Sequence, residues 1–98
     1  ITIPEGVTSI GDAAFADCTN LSSITIPSSV KSIGKRAFWN STSLNSIIIP
    51  NSVTNMGWRA FYSWASSQTI NIQGYTSAPS GWSSAWNADC SATINWGQ

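Results

Sequence analysis

Ninety-eight residues are room for one small domain, and 42% of them are hydrophobic while only 8% are charged, against about 25% charged in an average globular chain. Four bases cancel four acids, which excludes a nucleic-acid or anionic-membrane partner held by bulk charge, and no apolar run approaches the ~20 residues of a membrane-spanning helix. Ser, Thr and Asn carry the polarity instead, a mix typical of secreted and surface proteins.

The chain opens on Ile1-Thr2-Ile3-Pro4. The same stretch returns at Ile24–Pro27, as Ile-Ile-Ile-Pro at Ile47–Pro50, and as Ile-Asn-Ile-Gln at Ile70–Gln73, always 23 residues on. A fixed period in the twenties predicts a solenoid of stacked repeats. Residues 1–23, 24–46 and 47–69 are then three repeats, and 70–98 a different terminal block. The alternation Ile-Thr-Ile predicts a short strand with one face inward, stopped by Pro, which has no amide proton to donate. Val7, Val30 and Val53 follow, then Ile10, Ile33 and Met56, which turn the corner. Gly11, Gly34 and Gly57 suit a backbone position that is tight or left-handed. The segment after each Gly, such as 35–40, predicts one or two helical or 3-10 turns with Ala37 and Phe38 inward. Leu21 and Leu44 form a last apolar column that ends at Ser67.

From Gly74 the pattern breaks. A turn-rich stretch leads to Trp82, Trp86 and Cys90, and Thr93–Trp96 alternates again as a closing strand. Trp82 and Trp86, four apart, share a face if that segment is helical. A stack needs an atypical last unit over its open core, so 70–98 is expected to be a fourth strand plus a Trp-rich C-terminal cap. At the other end the chain starts inside a repeat, as expected of a piece of a longer protein. Ile1, Ile3, Val7, Ile10 and Phe15 would present a bare ladder there, open to self-association. Cys18 and Cys90 fall three strand steps of about 4.8 Å apart, too far for the ~7 Å reach of a disulfide, so two free thiols are expected.

The motif Leu-x-x-Ile-x-Ile-Pro-x-x-Val-x-x-Ile-Gly-x-x-Ala-Phe, read from Leu21 through Ile24, Ile26, Pro27, Val30, Ile33 and Gly34 to Ala37 and Phe38, resembles the bacterial surface type of leucine-rich repeat, the BspA-like family. Cys18-Thr19-Asn20-Leu21 matches that family's Cys-x-x-Leu, which weakens to Ser41 with Leu44 and then to Trp64 with Ser67. The resemblance implies an α/β solenoid: a right-handed coil with short parallel strands on its concave face and the helical or 3-10 turns on the other side. It also implies a bacterial cell-surface or secreted protein that adheres to host or cell-surface proteins. In such a protein the sequons at Asn20 and Asn40 are incidental.

No chemistry of catalysis is legible. There is no His; Glu5, Asp12, Asp17 and Asp89 show no acid–base pairing; no metal-ligand spacing or phosphate loop occurs; and no base stands beside a Ser. No enzyme activity, metal or cofactor is expected. Two surfaces could bind. The outward strand positions Ser23, Thr25, Ser46, Ile48, Thr69 and Asn71, with Thr2 at the open end, make a flat polar ladder. It suits a protein partner, with Ile48 its one apolar residue. On the turn side, the columns Asp12/Lys35/Trp58 and Ala16/Trp39/Tyr62 lie beside Arg36 and Arg59. Trp39 should neighbour Tyr62 across repeats. This aromatic-basic patch suits sugars stacked on rings, an acidic glycan or a protein loop. Otherwise its rings simply pack on one another, and the module is a passive spacer.

Overall fold

The Ile-x-Ile alternation produces strands in the third and fourth occurrences and only a single parallel bridge, Thr2–Thr25, between the first two, and the 23-residue step does produce parallel pairing. The computed structural model describes all residues 1–98. Its strands are β1 (Ser9–Ile10), β2 (Ser32–Ile33), β3 (Ser46–Ile49), β4 (Asn55–Met56), β5 (Thr69–Ile72) and β6 (Thr93–Asn95). They form two separate parallel ladders, β1-β2-β4 and β3-β5-β6. In the second, Ile47 pairs with Ile70 and Ile49 with Ile72, one 23-residue step apart, and Ile70 then pairs with Ile94. A Thr2–Thr25 bridge stands one step earlier in the chain, and Met56–Trp82 continues the first ladder. The first ladder runs through all three repeats and on to Trp82, whereas the second joins only β3, β5 and β6, with the first two repeats meeting through the separate Thr2–Thr25 bridge; the core lies between the two.

That core is the set of apolar columns. Ile26, Ile49 and Ile72 are buried, as are Val30 with Val53, Ile33 with Met56, and Ala37 with Ala60. Phe15, Phe38 and Phe61 stack at 5.5 Å between successive centroids, within 8° of parallel. The column ends on the edges of Trp64 and Trp86, at 5.0 and 6.0 Å from Phe61. Aromatic pairs favour this edge contact over a face-to-face sandwich, so it is a stable way to finish the run.

The expected helical or 3-10 turns are not there. Residues 12–17, 35–40, 58–63 and 84–89 are consecutive turns. The reason is where the amides go. An α-helix needs every N–H for its own turn. Here alternate N–H groups serve the next coil: Ala13, Phe15 and Asp17 donate to the carbonyls of Lys35, Ala37 and Trp39 at 2.8, 2.8 and 2.6 Å. Arg36, Phe38 and Asn40 do the same to Trp58, Ala60 and Tyr62. The amides between them, such as Ala14 to Gly11 and Ala16 to Ala13, close local turns. Such alternation requires a left-handed residue at fixed points. They are Ala13, Arg36 and Arg59 in one column and Asp17, Asn40, Ser63 and Asp89 in the other, with φ between 52° and 72°. Asp and Asn tolerate this conformation best, and other side chains cost roughly 1–2 kcal/mol, which the inter-coil bonds offset.

Gly34 and Gly57 are tight rather than left-handed. A Cβ on Gly34 would stand 2.6 Å from the Asp12 nitrogen, and one on Gly57 would meet the Lys35 backbone. Trp82 and Trp86 also reach their positions without a helix. Ser83 N–H donates to the Met56 carbonyl at 2.8 Å, as Gly34 does to Ile10 and Gly57 to Ile33. Trp86 N–H then closes on Ser83, as Ala37 does on Gly34. The two Trp thus occupy the columns of Met56 and Ala60, and their rings meet edge to face at 5.0 Å. Trp96 joins them at 6.1 and 5.9 Å.

Candidate functional site

The strand face follows from the alternation of side chains: β3 reads exposed, buried, exposed, buried. Ser46 and Ile48 point outward while Ile47 and Ile49 enter the core. Ile48 is 52% exposed, and only Ile1 among the large apolar residues is more so. Across the sheet, Ile48 pairs with Asn71. Asn71 accepts a hydrogen bond through Oδ1 from Asn95 Nδ2 at 3.0 Å, so the outward column runs Ile48, Asn71, Asn95. Thr69 pairs with Ser46 and with Thr93 on either side. Thr25 and Ser23 are exposed in the preceding coil. The face holds no charged residue. Thr93 and Asn95 were missed by sequence reasoning, although Thr93-Ile94-Asn95 repeats Thr69-Ile70-Asn71 letter for letter.

On the turn side the structure gathers all five patch residues. Trp39 and Tyr62 stack at 3.9 Å and 21°. Trp58 lies 5.0 Å from the Arg36 guanidinium and 4.5 Å from that of Arg59. Arg36 also stands 5.2 Å from Trp39, and Arg59 5.2 Å from Tyr62. The five side chains close a ring of stacking and cation–π contacts. Each aromatic ring has two such neighbours, so the rings hold the guanidinium groups in place. Beside them is a groove of about 410 Å³ lined by Asp12, Ala13, Lys35, Arg36 and Trp58. Asp12 Oδ1 accepts the Lys35 backbone N–H at 2.9 Å. Arg59 has the molecule's only ion pair, a loose one to Asp89 at 3.8 Å.

Behind these surfaces most polar groups of the interior are partnered, the exceptions being Ser52 Oγ and Arg59 Nε. Trp64 Nε1 donates to the Phe38 carbonyl at 2.8 Å, and Ser41, in the same column, donates to the Phe15 carbonyl. Gln68 fills the end of the Leu21/Leu44 column with an amide. Its Nε2 donates to the Ser41 and Leu44 carbonyls at 3.1 and 2.8 Å, and its Oε1 accepts from Ala65 N–H. Cys18 and Cys90 are unpaired, and burial pushes the Cys90 thiol above its ordinary pKa, with a backbone hydrogen bond from Ala92 acting the other way. No three His, Cys, Asp or Glu side chains converge as metal ligands would. No helix is long and apolar enough to cross a membrane.

The sequence pattern of the BspA type leucine-rich repeat region matches residues 1–82, in six copies. The chain belongs to this family. No curated protein and no solved structure matches it. Leucine-rich repeats of this type are in general protein-interaction modules. The invariant columns of the BspA-type repeat lie in the core, and the strand face and turn-side ring carry the residues that differ from coil to coil. The signal for the ring was the Trp39/Tyr62 column itself; its closure through Arg36 and Arg59 needed coordinates.

Proposed function

We propose that this BspA-type repeat is a non-catalytic adhesion module of a bacterial surface or secreted protein, and that it binds a host or cell-surface protein through its strand face. Residues 1–69 supply three repeats and 70–98 the unit that closes the stack, wound as a right-handed coil with the strand face concave. The observation that carries this reading is Ile48. It is 52% exposed in the middle of an uncharged sheet face, in a column otherwise made of Thr and Asn. A buried Ile at an interface contributes roughly 1.5–3 kcal/mol, and a flat polar surround supplies hydrogen bonds without a charge to desolvate. The test is a binding panel of extracellular-matrix proteins and mucin-type glycans against the intact chain and Ile48→Asp. Capture of a matrix protein, lost in Ile48→Asp while circular dichroism is unchanged, is the expected result. Capture that survives Ile48→Asp but fails when Trp39 and Trp58 are both replaced by Ala would move the site to the turn side and favour a glycan. Ile1 is exposed and Val7 and Phe15 are only partly buried, while Ile3 and Ile10 are buried, and we propose that copies pair at this end at high concentration; a strict monomer by sedimentation would exclude it.

A further inference from the structure

We propose that the groove beside Arg36 is a second contact site, one that takes a single Asp or Glu carboxylate from an otherwise neutral loop of a partner protein. Three observations carry it. The first is a pre-set fork. The Arg36 guanidinium is held 5.0 Å from the Trp58 ring and 5.2 Å from Trp39, which orders the side chain in advance while the residue stays exposed. A planar guanidinium grips a carboxylate with two parallel hydrogen bonds, and an ordered one loses less freedom on binding. The second is the absence of an internal claimant. Arg59 has Asp89 at 3.8 Å, while Lys35 and Arg36, both exposed, have no carboxylate within ion-pair distance. The third is space: the groove of about 410 Å³ has both bases in its wall.

The groove also states what it would refuse. Asp12 lines it, fixed against the Lys35 N–H at 2.9 Å. With Lys35 and Arg36 it leaves a net charge of one positive. A lone carboxylate flanked by neutral residues is therefore favoured over a run of acids, whose later members meet Asp12. A neutral sugar would compete with the two stacking or cation–π neighbours that each ring already has.

That the partner is a protein rests on the reading above; the site itself does not use the strand face, so the two can fail separately. The experiment is an NMR titration of the intact chain with a capped Gly-Gly-Glu-Gly-Gly peptide, its Gln counterpart and methyl glucuronide. The Glu peptide should shift the signals of Lys35, Arg36 and the Trp58 indole at millimolar concentration, and the Gln peptide should not. Arg36→Gln should weaken binding about tenfold, with Arg36→Lys, which keeps charge but not the fork, in between. Asp12→Asn should tighten it about two- to threefold. Lys31→Gln, an exposed base outside the groove, and Ile48→Asp should leave it unchanged. Equal losses in Lys31→Gln and Arg36→Gln would overturn the proposal, since bulk charge would then suffice. So would equal binding of the Gln peptide, no shift at all, or tighter Arg36-dependent binding of the glucuronide, which would assign the groove to an acidic glycan.

Discussion

The first coil and the third are built from nearly the same letters and live in different environments. Ile1 is 62% exposed, while Ile47 and Ile70 in its column are 2% and 0% exposed. Val7 and Phe15 are partly buried where Val53 and Phe61 are fully so. Gly11 has open space where a Cβ would go, and Gly57 has the Lys35 backbone there. A residue's contribution in this fold is thus set by whether a coil lies on both sides of it. Stability is a nearest-neighbour sum, and equal columns are unequal in energy.

Phe61→Ala and Phe15→Ala give the sharpest test. The first removes a ring packed between Phe38 and the Trp edges and should cost about 3–5 kcal/mol, enough to unfold much of a domain with ordinary stability of ~5–15 kcal/mol. The second should cost about half as much, by urea titration followed with near-ultraviolet circular dichroism. Equal losses would mean that the columns act as one block. A smaller effect of the same form is expected of glycine: Gly57→Ala should lose about 2–3 kcal/mol by overpacking against the neighbouring coil, and Gly11→Ala should stay within ~0.5 kcal/mol. Below that lies the carbonyl column. Trp64→Phe keeps a ring and removes one of two donors to the buried Phe38 carbonyl, which still accepts the Ser41 N–H, and Ser41→Ala takes the hydroxyl donor from the Phe15 carbonyl; each should cost about 1 kcal/mol. The smallest effect is at Cys90. Its folded pKa is raised by burial, so the native state favours the protonated thiol. The stability this contributes is complete below the ordinary thiol pKa of about 8.5. It is lost as pH rises through the folded value. Alkylation of Cys90 by iodoacetamide at mildly alkaline pH should accordingly be slower in the native chain than in denaturant, and equal rates would remove burial as the cause.

Much of the fold was legible because stacking repeats one requirement many times. Three or four occurrences of Ile, Val, Ala and Phe at one spacing outweigh the ambiguity of any single position. The turn segments were misread for a local reason. Lys35-Arg36-Ala37-Phe38 favours a helix on its own, and only the neighbouring coil, by claiming alternate amides, prevents one. In the terminal block the fourth and closing strands were legible, but the helical reading of Trp82 and Trp86 was not met, because the columns there are displaced. Trp82 and Trp86 stand four apart as Met56 and Ala60 do, but the step between coils grows there, and large rings replace small side chains. At the candidate surfaces, the outward position of Ile48 was readable from period-two alternation. The groove was not, because Asp12, Lys35 and Trp58 are unlike in chemistry and converge only through the stack.

The bonding of the turns carries a consequence for where this chain can change length. From 12 to 17 and from 35 to 40, alternate amides are committed to the neighbouring coil, so an inserted residue would put every later donor out of phase. The corner that follows β5 has no such constraint. Residues 74–81 are mostly exposed turn and bend, and the stack resumes beyond them with Ser83 on Met56 and Trp86 closed on Ser83. This corner is a natural splice point. A foreign epitope grafted between Ala78 and Pro79 should be displayed without altering either ladder, whereas the same graft at Ala14 should abolish the fold.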